Sequence, residues 1–176
     1  WRDWSSDVCS SDLKVQPGQI LTWADPKGEA RARTYWSTAA EIQAARQEPF
    51  AGDDHAVAER LEQVLADAVR EQMVADVPLG AFLSGGIDSS TIVALMQRQS
   101  PSPIKTFTIG FEDPDLNEAD HAREVARHLG TDHTEWSISA REALDVVPQI
   151  GHIYDEPFGD SSQIPTILVS RLARRQ

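Results

Sequence analysis

Apolar and polar residues follow two different periods along this chain, one typical of helices and one of strands. Between residues 53 and 75, apolar residues recur every three or four positions, which predicts a long amphipathic helix that begins at Asp53 or Asp54. After Pro78, short apolar runs of strand length alternate with amphipathic stretches of helix length. This alternation predicts an α/β fold, with a parallel sheet and helices packed on its faces.

The ends of the strands and helices beyond Pro78 can be predicted from the turn-forming and capping residues between them. Strands are predicted at residues 79–83, 104–111 and 131–138, where apolar and β-branched residues concentrate. Helices are predicted from Asp88 to about Gln99, from Asn117 to Leu129, from Ser139 through Val147 and from Ile164 to Arg175. Right-handed crossovers would place the loops that follow these strands along one edge of the sheet, where ligands bind in such folds.

The first 52 residues have a different character. Residues 1–13 have no amphipathic period and repeat Ser-Ser-Asp, so we interpret them as extraneous sequence or a disordered tail. Residues 14–36 predict a β-hairpin, with strands at 19–23 and 33–36. A loose, polar connector is predicted from residue 37 to residue 52.

One candidate site stands out, between the strand at 79–83 and the helix that follows. It reads Ser84-Gly85-Gly86-Ile87-Asp88-Ser89-Ser90. Two adjacent glycines allow backbone conformations that a Cβ forbids, and Ser84, Ser89 and Ser90 add hydroxyl groups. The free N–H groups at the start of the helix, with the helix dipole behind them, would form an anion cradle suited to phosphate. A plainer alternative is that Asp88 or Ser89 is only an N-cap.

Composition excludes several classes of function. The net charge of −12 and the pI near 4.7 argue against nonspecific binding of nucleic acid. A nucleotide would therefore need local help from Mg²⁺ and oriented N–H groups. The single cysteine, Cys9, excludes an internal disulfide, and the five histidines show no metal-ligand spacing. No apolar run approaches the ~20 residues of a membrane helix, and no signal peptide is recognised, so we expect a cytoplasmic protein without a membrane partner.

The candidate loop resembles the pyrophosphate loop of the N-type ATP pyrophosphatases, and its surroundings resemble the asparagine synthetase (glutamine-hydrolysing) family. Similarity to that family extends over about residues 14–176. The similar stretches are DVPLGAFL at 76–83, TFTIGF at 106–111, NEAD at 117–120, HLGTDH at 128–133 and YDEPFGDSSQIPT at 154–166.

The resemblance implies an adenine nucleotide alpha hydrolase-like, Rossmann-like fold and an ATP-dependent amide ligase. In that family, ATP and Mg²⁺ activate the side-chain carboxylate of aspartate as an acyl-adenylate, which ammonia from glutamine converts to an amide. The matching positions imply that the β- and γ-phosphates are held by Ser84, Gly85, Gly86, Asp88, Ser89 and Ser90. Asp88 would be the catalytic and metal-binding carboxylate. Leu83, Ile109 and Gly110 would contact the nucleotide, although the pattern around Ile109, taken alone, favours a core residue.

The resemblance also implies a division of the chain. Residues 14–52 would be the end of a glutaminase domain and its linker, and residues 53–176 the N-terminal part of the ATP-binding synthetase domain. The glutaminase domain itself would be missing, and the sheet would be truncated at the C-terminus. We therefore expect a fragment that is inactive alone.

The identity of the acceptor remains open. Asp155, Glu156 and Asp160, with Ser161 and Ser162, either lie near the acceptor or form a solvated loop. This sequence departs here from the best-known asparagine synthetases, whose matching stretch is rich in threonine and has an arginine suited to aspartate. The acceptor is therefore left open between aspartate and a similar carboxylate. Alternatives are another enzyme with the same loop (a thiolation enzyme, a GMP synthetase or a β-lactam-forming homologue) and a non-catalytic nucleotide-binding module.

Overall fold

The structure is a computed structural model that describes residues 14–25, 28–111, 117–154 and 159–175. The chain divides into two compact units, and the boundary lies between Ala58 and Glu59.

The first unit contains a β-hairpin. Strand β1, Gln19–Thr22, pairs antiparallel with β2, Arg31–Thr34. The predicted hairpin is confirmed, and its second strand begins two residues earlier than expected. Gly18 closes the open end, since its carbonyl accepts from the N–H of Tyr35 at 2.9 Å. Of the turn, residues 26 and 27 lie outside the described residues.

A helix follows where the sequence predicted a loose connector. Helix α1, Thr38–Gln47, begins after Ser37, whose hydroxyl accepts from the N–H of Ala40 at 3.4 Å. None of its residues is buried. The prediction of a connector was wrong because helices were predicted from an apolar stripe, and this segment has none. The high helix propensity of its alanines and the Ser37 N-cap stabilise the helix instead.

The second unit is built on a parallel sheet. Among the described residues its strands are β3, Gly80–Phe82, β4, Lys105–Phe111, and β5, Asp132–Ile138, in the order β3-β4-β5. Both pairs are parallel, with Phe82 opposite Phe107 and Ile109 opposite Trp136. The three predicted strands and their parallel arrangement are confirmed.

The helices of this unit lie mostly where the pattern predicted them. They are α2, Asp54–Gln72, α3, Ile87–Gln99, α4, Ala119–Leu129, α5, Ala140–Leu144, α6, Ile150–Ile153, and α7, Gln163–Ala173. The first residues of α2, up to Ala58, belong to the first unit. Asp53 accepts from the N–H of Ala56 at 2.9 Å at the start of α2, and Gly130 ends α4 with a φ of 70°. The helix predicted through Val147 is shorter, because Pro148 has no N–H to continue it, and a 3₁₀ turn, Val147–Gln149, follows.

Helices cover both faces of the sheet, as predicted for the fold class. Successive side chains of β4 point to opposite faces. Gly110 lies against Ala119 of α4, whereas Phe107 packs with Val169 and Leu172 of α7. The observed fold is therefore α/β and Rossmann-like. None of the described helices is both long and apolar enough to cross a membrane.

Candidate functional site

The diglycine turn joins β3 to α3 in the backbone conformation that its glycines permit. Gly85 has a φ of +80°, in the left-handed region that side chains disfavour. A Cβ at this position would lie 2.6 Å from the backbone nitrogen of Ala122 and 2.8 Å from Cβ of His121. Glycine is thus required twice, once for the backbone angle and once for the close approach of α4.

Serine hydroxyl groups hold the turn against the first residues of α3. The Ser84 N–H donates to Ser89 Oγ at 3.2 Å, and the two hydroxyl oxygens lie 3.0 Å apart. Ser89 Oγ also lies 3.2 Å from the carbonyl oxygen of Gly86, to which it can donate. These contacts fix the turn without closing it, since Ser84 and Gly86 remain exposed.

The start of α3 is open. Gly86 is the N-cap residue, and no side chain caps this end of the helix. Asp88 is the second residue of the helix and Ser89 the third, so the alternative that either of them is the N-cap was wrong. The N–H groups of the first turn therefore keep the arrangement that the cradle prediction requires.

The carboxylate of Asp88 is exposed in this first turn. Within the described residues there is no cluster of three or more histidine, cysteine or acidic side chains that could hold a metal ion. A single exposed carboxylate in the loop is a sparse donor set, of the kind that binds Mg²⁺ together with a substrate phosphate. The metal role of Asp88 stays a prediction.

The end of β4 directs backbone groups towards the loop. Phe107 accepts from the Leu83 N–H at 3.0 Å, whereas Ile104 accepts from the Asp132 N–H at 2.9 Å. Because alternate residues of a strand turn their peptide groups to opposite neighbours, the peptide group of Ile109 faces the β3 side. β3 ends before that level, so the peptide group of Ile109 points past the end of β3.

Leu83, Ile109 and Gly110 were predicted to contact the nucleotide, but the side chains of Leu83 and Ile109 point into the core and Gly110 has none. Leu83 is 1% exposed in a cluster with Val93 of α3, and Ile109 packs into the core on the α7 face. Gly110 has its open side filled by Ala119 and Asn117, whose Oδ1 would be 3.1 Å from a Cβ. Any contact of these residues with a nucleotide would use backbone atoms, and it stays a prediction.

Ser90 differs from the other serines of the loop. It lines a groove of about 460 Å³ between α3 and α4, together with Glu124 and His128. Its hydroxyl oxygen is buried without a hydrogen-bond partner among the described residues. The groove lies beside the loop, so the phosphate role predicted for Ser90 has the weakest geometric support of the set.

The acidic stretch before α7 can be followed only in part, since Asp155 and Glu156 lie outside the described residues. The carboxylate of Asp160 accepts from the Ser162 N–H at 2.8 Å, and this backbone hydrogen bond, followed by one from the Ser162 side chain, lowers the pKa of Asp160. Asp160 thus orders the turn into α7. Its relation to an acceptor stays a prediction.

Charges near the end of β4 are balanced by one arginine. Arg123 of α4 donates from Nη2 to Glu135 Oε1 at 2.8 Å and from Nη1 to Asp120 at 2.9 Å. The bonds to Glu135 and then Asp120 raise the pKa of Arg123. Sequence reasoning missed this group, and it missed the contact of His121 with the loop, because both depend on how α4 packs against the sheet.

The fold and this loop define a class, the Rossmann-like α/β domains with a glycine turn at the C-terminal end of the first strand of the sheet. Residues 60–176 match the family model for asparagine synthase, and the chain belongs to that family.

Curated relatives agree with this assignment. The chain is 35% identical over 162 residues to asparagine synthetase [glutamine-hydrolyzing] 1 of Bacillus subtilis, covering 92% of this chain and 24% of that protein. A putative asparagine synthetase of Methanocaldococcus jannaschii is 35% identical over 169 residues, covering 96% and 31%. One of Mycobacterium tuberculosis is 42% identical over 128 residues, covering 72% and 20%. The chain therefore spans less than a third of the length of these relatives.

Proposed function

We propose that this chain contains part of the ATP site of a glutamine-dependent asparagine synthetase. Family membership supports the reaction class. The observation that carries the assignment to this site is the open helix start behind the diglycine turn, because uncapped N–H groups at a helix N-terminus favour a phosphate group. The pyrophosphate portion of ATP would lie against Ser84–Ser90.

The position of the adenine follows from the end of β4. The peptide group of Ile109 is directed past the end of β3, where it can donate to and accept from the edge of a purine base. Gly110 continues the strand beside it. In this arrangement the base lies over the ends of β3 and β4, and the phosphates extend towards α3.

Magnesium fits the donors at the loop. The Asp88 carboxylate and the Ser84 and Ser89 hydroxyl groups are hard oxygen ligands, and Mg²⁺ commonly combines one or two carboxylates with phosphates and water. When bound, the ion neutralises charge on the phosphates during displacement. This matters here because the net charge of −12 repels a nucleotide.

The proposed reaction has two steps. A carboxylate oxygen of aspartate attacks the α-phosphorus of ATP, and the bond to pyrophosphate breaks. Ammonia then attacks the acyl carbon, AMP leaves with the bonding electron pair, and asparagine remains after proton loss. The loop contributes by holding the departing pyrophosphate, whose charge is stabilised by oriented N–H groups.

We further propose that residues 14–52 belong to the end of a glutaminase domain and its linker, and residues 53–176 to the synthetase domain. The hairpin exposes Trp23, Tyr35 and Trp36 at 54%, 62% and 47% of their surface, and contact with the rest of a glutaminase domain would bury these aromatic side chains. Ammonia released from glutamine in the first domain would serve the second reaction.

The decisive experiment substitutes Asp88 in the complete protein that carries this chain. Asp88→Asn should reduce aspartate-dependent pyrophosphate release and asparagine formation by about 10²- to 10³-fold, because it removes the metal-side charge. Asp54→Asn, at an exposed first-turn carboxylate of α2, is the matched control and should leave both rates unchanged.

Three results would contradict the proposal in different ways. Unchanged rates in Asp88→Asn would rule out the role proposed for its carboxylate, and a parent that binds ATP without releasing pyrophosphate would favour a non-catalytic nucleotide-binding module. Pyrophosphate release that depends on another carboxylic acid and not on aspartate would assign the chain to a related amidotransferase with a different acceptor.

A further inference from the structure

The first turn of α4 lies against both halves of the proposed nucleotide site. At the phosphate half, a Cβ on Gly85 would meet the backbone of Ala122 at 2.6 Å. At the base half, a Cβ on Gly110 would meet Asn117 Oδ1 at 3.1 Å and Ala119 Cβ at 3.0 Å. One helical turn thus forms the wall behind two glycines that are 25 residues apart in sequence.

The alanine side chains of this turn are tightly packed. Ala119 and Ala122 are both 0% exposed, and Ala122 belongs to the cluster around Leu83 and Val93. A buried alanine has no rotatable side chain that could absorb a shift of the backbone. A displacement of the helix start is therefore transmitted to Gly85 and Gly110.

Asn117 determines where this turn begins. Its Oδ1 accepts from the backbone N–H of Ala119, the first residue of α4, at 3.1 Å, and the side chain is half-buried against Gly110. The adjacent Glu118 makes no capping hydrogen bond with its side chain. Asn117 thus has a polar side chain that touches both the helix start and the end of β4.

We propose that Asn117 is a positioning residue for the nucleotide: it holds the first turn of α4 as the common wall behind Gly85 and Gly110. The inference rests on the proposed function of the loop and assigns Asn117 no contact with the reacting atoms. Loss of its Oδ1 frees the Ala119 N–H and lets the turn move away from Gly85. The affinity for ATP then falls, whereas the chemical step and the affinity for the acceptor are preserved.

The test compares three variants of the complete protein. Asn117→Ala removes the acceptor atom, whereas Asn117→Ser keeps an uncharged oxygen that can form the same local bond. Ser139→Ala is the matched control, since Ser139 accepts from the N–H of Glu142 at 3.3 Å at the start of α5, outside the site. The readouts are the Kd of Mg–ATP by calorimetry, the KM for ATP and for the acceptor, kcat and Tm.

Asn117→Ala should raise the Kd and the KM for ATP about five- to tenfold, the size expected for one lost cap, with kcat and the acceptor KM unchanged. Asn117→Ser should recover most of this lost ATP affinity. Ser139→Ala should lower Tm about as much as Asn117→Ala does, but it should leave the affinity for ATP unchanged. The inference is overturned if Asn117→Ala binds ATP as the parent does, or if Ser139→Ala weakens ATP binding equally. If Asn117→Ala does not fold, Asn117→Ser decides: a Kd for Mg–ATP about tenfold or more above that of the parent would overturn the inference.

Failure of the proposed function is distinguishable from failure of this inference. A parent protein that binds Mg–ATP but forms no asparagine would contradict the reaction, while the calorimetric comparison of the Asn117 variants would still decide the role of Asn117. A parent that binds no ATP would contradict both.

Discussion

At the scale of single residues, glycine serves two different purposes in the site. Gly85 needs both its positive φ and the space that a Cβ would take from α4. Gly110 has no such backbone angle and needs only space, because Asn117 and Ala119 lie against it. The resemblance implied that Gly110 contacts the nucleotide, whereas the space where its side chain would be is filled by Asn117 and Ala119.

A buried polar cluster beneath α4 is a second feature at this scale. Thr106 is 0% exposed, and its hydroxyl lies 2.9 Å from Thr131 Oγ1 and 2.9 Å from His133 Nδ1. The other ring nitrogen of His133 is buried without a hydrogen-bond partner among the described residues. Burial lowers the pKa of His133 below 6.5, while Glu135 raises it and Arg123 lowers it further.

This cluster predicts acid sensitivity of the fold. His133 stays neutral in the folded chain below pH 6.5, whereas the unfolded chain takes up a proton there, so the free energy of unfolding falls as the pH drops from 6.5 towards the lowered pKa. His133→Gln should flatten this slope in urea titrations at a series of pH values. His128→Gln, at an exposed histidine of α4, should keep the parent slope, and equal slopes in all three proteins would disprove the account.

At the scale of elements, the short strand β3 depends on its neighbour. β3 has three residues, and its continuation is held because the Leu83 N–H donates to Phe107 and the Leu83 carbonyl accepts from the Thr108 hydroxyl. Thr108 is 4% exposed. The hydroxyl of the buried Thr108 therefore replaces a further backbone hydrogen bond between β3 and β4, just before the loop begins.

Removing that hydroxyl should weaken the unit measurably. Thr108→Val leaves the Leu83 carbonyl without its donor and should lower the free energy of unfolding by about 1–3 kcal/mol. Thr91→Val removes an exposed hydroxyl that donates to the Ile87 carbonyl at 2.8 Å, and it should cost less than about 0.5 kcal/mol. Urea denaturation of both variants measures the difference, and equal losses would refute the role of Thr108.

At the scale of the whole molecule, the packed core belongs to the second unit. Its hydrophobic clusters draw their members from residues between Leu65 of α2 and Ala173 of α7. In the first unit, α1 buries no residue and every residue of β2 is exposed. The free energy of folding should therefore come from the second unit.

Deletion of the first 52 residues tests this. A variant that begins at residue 53 should fold with a Tm within about 5 °C of the parent, because the clusters and the Asp53 cap are retained. A variant that begins at residue 76 loses α2, which packs Val69 against Leu95 and Met96, and should be destabilised strongly. Thermal unfolding followed by circular dichroism measures both, and a large loss in the first variant would contradict the proposed boundary.

Much of the fold and the place of the loop could be predicted from the residues alone, because both depend on local signals. Apolar periods locate β4 and α4, and a glycine pair between a strand and a helix is specified by its immediate neighbours. Helix α1 was not predicted because it has no buried face, and therefore no apolar period marks it in the sequence. The helix after Ser139 was predicted to extend to Val147 and ends at Leu144, although Pro148 indicates an earlier end.

Other features required the packed structure, because they join residues that lie far apart in the chain. Nothing near Gly85 in sequence indicates that Ala122 lies against it, and nothing near Thr106 indicates His133. Strand register determines which way the peptide group of Ile109 points, and the packing of α4 determines what Asn117 touches. Local residue preferences determine helices, strands and turns, whereas register and packing decide which of them meet at a site.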